Sequence, residues 1–165
     1  MKMSIRVDTY NAQQTRQLGQ ALAQVLQPGD IIWLRGELGA GKTTLAQGIA
    51  RGLGVSEPVI SPTFTLIREH RGRLPFFHAD AYRLEGTEQA ADLGLQEYFE
   101  RGGVFAIEWP EHIADALPDE RLEVLLENGA DEHRRVTITA VGERYGKRMK
   151  ELEESVASAG FRDNG

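Results

Sequence analysis

The sequence predicts a three-layer α/β fold, in which helices cover both faces of a mostly parallel sheet and a β-hairpin comes late in the chain. Three observations lead to this fold class. Short apolar stretches of strand length alternate with amphipathic helical patterns along most of the 165 residues. Residues 31–34 are continuously apolar, which is typical of a strand buried on both faces, and a glycine-rich loop follows them. Residues 121–126 and 136–141 predict the two strands of the hairpin.

The first predicted helix begins after Asn11, which suits an N-cap, with Gln14 as its capping-box partner. Its apolar side chains recur at the spacing of one helical face: Leu18, Leu22, Val25 and Leu26. A turn at 28–30 separates this helix from the apolar strand. A second helix runs from about Lys42 to Gly54.

The middle of the chain predicts further alternation of strands and helices. Residues 65–69 and 74–78 indicate two strands joined by a turn at 71–73. Residues 87–99 favour one or two short helices, and 104–108 predict another buried strand.

Composition excludes several classes of function. The net charge of −6 argues against a protein that grips nucleic acid through a broad basic face. The sequence contains no cysteine, which excludes disulfides, thiolate metal sites and cysteine nucleophiles. No apolar run approaches the roughly 20 residues of a membrane span. We therefore expect a soluble, cytoplasmic protein without a membrane partner.

The strongest motif is the segment 36–43, which matches the phosphate-binding pattern G-x-x-x-x-G-K-[ST] between a strand and a helix. Its glycines allow backbone N–H groups to converge on a phosphate chain; they are Gly36, Gly39 and Gly41. Lys42 supplies a positive charge for the β- and γ-phosphates, and the Thr43 hydroxyl suits a Mg²⁺ ligand. The motif predicts a P-loop NTPase-like fold. The chain lacks the guanine-reading tetrapeptide of GTPases, which favours ATP.

Two acids follow apolar strands and are candidates for metal binding and for activation of the attacking water: Asp80 and Glu108. The residues alone do not decide which acid takes which role. Trp109 is expected to pack so that it fixes the carboxylate before it, although an aromatic residue this close to the site also suits contact with a partner or ligand. Thr63, in the hydroxyl-rich loop 61–65, is a candidate sensor of the γ-phosphate, although this loop also suits an ordinary surface turn. His78 suits a buried core residue better than a proton shuttle.

The same loop would also serve a small-molecule phosphotransferase, with Asp80 as the base for a substrate hydroxyl. No lid-like insertion accompanies the loop, so a minimal ATPase is favoured and the kinase is the alternative.

Four segments, in this order and spacing, carry a resemblance to a known family: 36–44, 61–66, 78–84 and 107–110. They resemble the TsaE (formerly YjeE) family from about residue 9 to residue 141. The resemblance implies a weak ATPase, monomeric alone, that uses ATP and Mg²⁺ in the synthesis of threonylcarbamoyladenosine (t6A) in tRNA. It also implies association with the TsaB–TsaD heterodimer, whose turnover the ATPase supports, and only indirect action on tRNA.

The resemblance also implies roles for single residues. Thr43 and Glu108 would hold Mg²⁺, while Asp80 would act in hydrolysis, together with Lys42 and a switch at Thr63. The expected nucleotide-binding residues are Gly36, Gly39, Ala40, Gly41, Lys42, Thr43, Thr44, Thr15 and Arg134. Residues 1–142 would form the P-loop ATPase domain. Residues 143–165 are expected to form a charged, partly disordered tail with a solvated terminal helix that frays at its end.

Overall fold

A seven-stranded sheet forms the centre of the structure, a computed structural model that describes residues 3–62, 66–84 and 86–165. Its strands are β1 (Ser4–Thr9), β2 (Ile31–Arg35), β3 (Ile67–Arg71), β4 (Pro75–Asp80), β5 (Val104–Glu108), β6 (Arg121–Asn128) and β7 (Arg134–Val141), in the spatial order β1-β7-β6-β2-β5-β4-β3. The sheet is mixed. The central pairs β6–β2, β2–β5 and β5–β4 are parallel, while β1–β7, β7–β6 and β4–β3 are antiparallel. The α/β fold class and the late hairpin are confirmed, and the parallel pairing is confined to the middle of the sheet.

Helices cover both faces of this sheet, as predicted. They are α1 (Ala12–Ala23), α2 (Lys42–Gly52), α3 (Thr87–Ala91), α4 (Leu95–Glu100), a 3₁₀ helix (Pro110–Ala116), α5 (Glu143–Gly146) and α6 (Met149–Ser158). Within the described ranges, no helix combines the length and apolar character that a membrane span requires.

The alternation of side chains along β2 separates two apolar clusters. Ile32 and Leu34 face the cluster formed with α1, α2 and α6, whereas Trp33 faces the cluster formed with α4 and the 3₁₀ helix. Because β2 is buried on both faces, its apolar run carries no polar residue until Arg35. The carboxyl end of β2, where the glycine-rich loop begins, thereby lies on the middle strand of the sheet.

The N-terminal cap of α1 agrees with the prediction, with one difference. The Asn11 side chain accepts a hydrogen bond from the Gln14 backbone N–H at 2.8 Å. The Gln14 side-chain oxygen accepts a hydrogen bond of 2.8 Å from the backbone N–H of Tyr10. In the predicted capping box it would accept from the N–H of Asn11 instead. This bond ties the start of α1 to the residue after β1, an edge strand that the sequence did not predict.

Helices α1 and α2 approach each other unusually closely. A Cβ atom on Gly48 of α2 would lie 2.1 Å from the carbonyl oxygen of Arg16 in α1, so only glycine fits there. The two helices pack backbone against backbone, and α1 thereby supports the helix that follows the glycine-rich loop.

The C-terminal segment is helical as predicted, but the prediction of a solvated terminal helix is wrong. Its apolar side chains recur every three or four residues and are buried against the α1 side of the sheet; they are Tyr145, Met149, Leu152 and Val156. The charged residues that suggested a solvated helix occupy the other face. The segment also continues past α6 as far as β1, where the backbone N–H of Asn164 donates to the Arg6 carbonyl at 2.7 Å.

A buried ion pair ties this C-terminal segment to the turn before β2. The Asp30 carboxylate is fully buried and accepts two hydrogen bonds of 2.6 Å from the Arg148 guanidinium. Arg144 adds a third contact, with its terminal nitrogen 2.9 Å from Asp30 Oδ1. The Tyr145 hydroxyl accepts a hydrogen bond of 2.7 Å from the N–H of Ile31, the first residue of β2.

Candidate functional site

The glycine-rich loop connects β2 to α2 in the position that the motif predicts. Gly36 has a φ of +150°, and a Cβ atom there would lie 2.6 Å from the carbonyl oxygen of Leu126 on β6. Gly41 caps α2 in the left-handed region, with a φ of +101°. Two of the glycines are therefore required by the backbone itself, one by a close approach and one by its conformation.

Lys42, the first residue of α2, is folded back onto this loop. Its side-chain ammonium donates hydrogen bonds to the carbonyl oxygens of Gly36 and, at 3.4 Å, of Glu37. The same nitrogen lies 3.6 Å from the centre of the Trp109 ring. Burial lowers the pKa of Lys42 below its ordinary value, and the nearby negative charges, with Glu108 foremost, oppose this shift.

Thr43 and Glu108 are joined directly. The Thr43 hydroxyl donates to Glu108 Oε2 at 2.9 Å, which connects the start of α2 to the last residue of β5. The same carboxylate oxygen lies 2.7 Å from Nε2 of His78, a fully buried residue of β4. The core position favoured for His78 is confirmed. Its contact with Glu108 was not predicted.

Asp80 ends β4 at the level of Glu108, its partner in the parallel β4–β5 register. Its Oδ1 accepts a hydrogen bond of 2.9 Å from the backbone N–H of Tyr82. Burial raises the pKa of Asp80 above its ordinary value. The charge of Glu108 acts in the same direction, while the Tyr82 N–H, His78 and Lys42 oppose it. Both candidate acids thus lie at the carboxyl ends of neighbouring parallel strands, where open α/β sheets bind ligands.

These groups meet around one cavity of about 350 Å³. It is lined by Leu38, Gly39, Gly41, Lys42, Thr43, Thr44, Ser61, Asp80, Tyr82, Arg83, Glu108 and Trp109. The structure therefore brings together the predicted phosphate loop, both candidate acids and Thr44. Thr63 lies outside the described residues.

Thr15 and Arg134 do not belong to the lining of this cavity. Thr15 is buried in α1, where its hydroxyl lies 2.8 Å from that of Thr9. The Arg134 guanidinium donates to the Ala40 carbonyl at 3.1 Å and to the Gly39 carbonyl at 3.4 Å, so β7 holds the tip of the loop. Their roles as nucleotide contacts stay predictions.

Trp109 is the site residue whose role the sequence indicated least. It has a left-handed backbone, with φ 61° and ψ 46°, which is rare for a residue with a side chain. Its ring packs against Tyr82 at 5.1 Å and His112 at 5.6 Å between ring centres. In the sequence, only the position of Trp109 directly after Glu108 indicates that it belongs to the site. Its contact with Lys42 depends on the three-dimensional arrangement.

Comparison with known proteins assigns this arrangement to a family. Residues 9–136 match the family model described as "Threonylcarbamoyl adenosine biosynthesis protein TsaE". The chain belongs to the TsaE family. It is 45% identical over 145 residues to the "tRNA threonylcarbamoyladenosine biosynthesis protein TsaE" of Bacillus subtilis. This match covers 87% of this chain and 90% of the relative. The TsaE protein of Treponema pallidum is 40% identical over 134 residues, covering 81% of this chain and 99% of that protein.

A solved structure agrees with this assignment to the TsaE family. The crystal structure of Bacillus subtilis YdiB superimposes with a TM-score of 0.82 and 39% sequence identity, covering 93% of this chain and 97% of that one. The predicted family resemblance and the P-loop-like α/β fold are therefore confirmed. Membership places the chain in a family of t6A biosynthesis.

Proposed function

We propose that this TsaE-family chain is an ATPase that binds ATP with Mg²⁺ and supports repeated turnover of the TsaB–TsaD heterodimer in t6A modification. The observation that carries the proposal is the convergence of Lys42, Thr43, Asp80 and Glu108 on one cavity at the end of the central parallel strands. A phosphate loop, a hydroxyl and two carboxylates are the groups that P-loop hydrolases use.

The triphosphate would lie along the loop, at the N-terminus of α2. There the backbone N–H groups and the positive end of the helix dipole favour anions. Lys42 would turn from the loop carbonyls toward the β- and γ-phosphates. Arg134 would act on nucleotide binding indirectly, because its hydrogen bonds to the carbonyls of Gly39 and Ala40 hold the backbone conformation of the loop.

The donor set beside the loop fits Mg²⁺. The Thr43 hydroxyl and the Glu108 carboxylate are hard oxygen ligands whose oxygens lie 2.9 Å apart, and Mg²⁺ in nucleotide sites is bound by few protein oxygens together with phosphate. When bound, the ion would neutralise charge on the β- and γ-phosphate oxygens. His78, at 2.7 Å from the same carboxylate oxygen, would orient Glu108.

Asp80 would act on the attacking water. The Tyr82 N–H fixes one of its oxygens, and its raised pKa makes it a better proton acceptor than an exposed aspartate. In the proposed step the water oxygen bonds to the γ-phosphorus and the bond to the β–γ bridging oxygen breaks. ADP leaves, and the proton of the water passes to Asp80. Thr63 would sense the γ-phosphate, as the family resemblance implies.

Turnover by the chain alone is expected to be slow. Phosphate-loop hydrolases gain about 10³–10⁵ in turnover from an arginine finger, and the partner complex is the proposed source of stimulation. The acidic net charge of −6 suits a chain that leaves tRNA to its partners. We expect the chain to work in the cytoplasm and to be monomeric when alone.

The test is multiple-turnover t6A formation with TsaB, TsaD and tRNA, run beside ATP hydrolysis. Lys42→Ala is expected to weaken ATP binding, and Glu108→Gln to abolish turnover while leaving ATP binding measurable. Matched controls come from the exposed ion pair of α5, in which Lys147 and Glu143 are 71% and 82% exposed; Lys147→Ala and Glu143→Gln should behave as wild type.

Wild-type levels of multiple turnover in either site variant would contradict the proposal. Transfer of the γ-phosphate to a small-molecule acceptor, instead of release as inorganic phosphate, would favour the kinase alternative.

A further inference from the structure

The ammonium group of Lys42 makes three contacts within the protein. Two of its three N–H donors are engaged by the carbonyl oxygens of Gly36 and Glu37, and the Trp109 ring covers it at 3.6 Å. A cation at this distance from an indole face is attracted by the negative face of the ring, more strongly where water is excluded. Lys42 is 4% exposed, so this contact is largely desolvated.

Trp109 is held in place for this contact by its own surroundings. Its left-handed backbone costs free energy for a residue with a Cβ atom, and such strain persists only where the neighbouring structure imposes it. Tyr82 and His112 pack against its ring, and His112 Nδ1 lies 3.0 Å from the Ala81 carbonyl oxygen. The ring is therefore fixed between the chain after Asp80 and the 3₁₀ helix.

We infer that Trp109 is a positioning residue that holds Lys42 against the loop carbonyls in the nucleotide-free chain, so that nucleotide must displace this contact to bind. The inference rests on the proposed nucleotide binding at the loop. The two carbonyl bonds leave the ammonium one N–H donor, so it cannot keep these contacts and also donate to both the β- and γ-phosphate oxygens. Binding of ATP thus opposes the Trp109 contact, and the indole lowers the affinity that Lys42 would otherwise give.

The first measurement needs no nucleotide. In a Trp33→Phe chain, Trp109 is the remaining tryptophan of the sequence, and its exposure can be followed by acrylamide quenching of its fluorescence. Lys42→Ala uncovers one face of the ring, so the quenching constant of Trp109 is expected to rise and its emission to shift. Lys147→Ala, the same change at a side chain that is 71% exposed, is expected to leave both unchanged. Unchanged quenching and emission in Lys42→Ala would overturn the inference.

The second measurement is ATP affinity by titration calorimetry, with otherwise native chains. Trp109→Leu removes the π face and keeps an apolar side chain, and it is expected to tighten ATP binding roughly 2- to 30-fold, the range of a cation–π contact. Trp109→Phe keeps an aromatic face and should stay closer to wild type. Thermal unfolding of each variant establishes that it is folded.

Unchanged or weaker ATP binding by folded Trp109→Leu would overturn the inference, because the indole would then not compete with nucleotide for Lys42. Failure of the wild-type chain to bind ATP would instead refute the proposed function, and the quenching measurement would still decide whether Lys42 lies on Trp109.

Discussion

Replacement of Asp30 by asparagine tests how strongly the C-terminal helices are joined to the rest of the fold. Asparagine keeps the shape of the side chain and an oxygen for the Gln27 N–H, but removes the charge that faces two guanidinium groups. The Arg144 side chain is 41% exposed and can regain water, whereas that of Arg148 is 10% exposed and would remain buried without a counter-charge.

The expected loss follows from this difference in exposure. Removing one partner of a buried ion pair costs about 3–5 kcal/mol, and because one of the two arginines is partly solvated we expect about 3 kcal/mol. For a chain of this size, 1 kcal/mol corresponds to about 2–4 °C, so the midpoint of thermal unfolding should fall by roughly 6–12 °C. Urea and thermal unfolding followed by circular dichroism measure both quantities.

Two comparisons make this result decisive. Glu143→Gln removes an exposed ion pair of 3.5 Å on α5 and should cost less than about 1 kcal/mol. Adding Arg148→Met to Asp30→Asn should recover part of the loss, because the second change removes the uncompensated charge. If Asp30→Asn costs no more than Glu143→Gln, the buried pair does not hold the C-terminal segment and the reasoning is refuted.

Two further predictions concern helix packing and pH. Gly48→Ala should destabilise the chain by about 1–3 kcal/mol in urea unfolding, because the added methyl group would lie 2.1 Å from the Arg16 carbonyl and force α1 away from α2. A hydrogen bond with His133 lowers the pKa of Asp8 below its ordinary 3.8, so the stabilisation from the Asp8 carboxylate is present above pH 3.8 and is lost as the pH falls through the lowered value. Unfolding of wild type and Asp8→Asn over a pH series should therefore show a difference that shrinks below pH 3.8.

Each of these two predictions can be contradicted by a specific result. Gly160→Ala serves as the comparison for Gly48→Ala, since its φ of +97° is unfavourable for alanine but its Cβ would meet open space. A loss of less than about 1 kcal/mol in Gly48→Ala would mean that the added methyl group does not force the helices apart. A difference between wild type and Asp8→Asn that stays constant through pH 3.8 would show that the carboxylate charge adds no stability.

Features specified by neighbouring residues were predictable from the sequence. The glycine-rich loop, the cap at Asn11 and strand β5 at residues 104–108 all depend on local residue types and spacing. These features placed the glycine-rich loop correctly between β2 and α2. The order and spacing of the four motifs then indicated the family.

Features made by contacts between distant segments were not predictable in this way. The hydrogen bond between His78 and Glu108 depends on the parallel β4–β5 register, and neither residue's neighbours indicate it. The contact of Lys42 with Trp109 requires a left-handed backbone that no local pattern signals. The charged residues of the C-terminal segment predict a solvated helix, whereas its apolar side chains bury it against the sheet through contacts with distant elements.

The ion pair of Asp30 has a consequence for the order in which the protein folds. Asp30 and its two arginines are separated by 114 and 118 residues, so the turn before β2 gains its counter-charges only after residues 144–148 have been synthesised. Closure of so long a loop is slow, and contacts of this kind delay folding. We therefore expect the segment that carries the glycine-rich loop to acquire its final stability late in folding, after residues 144–148 have docked against it.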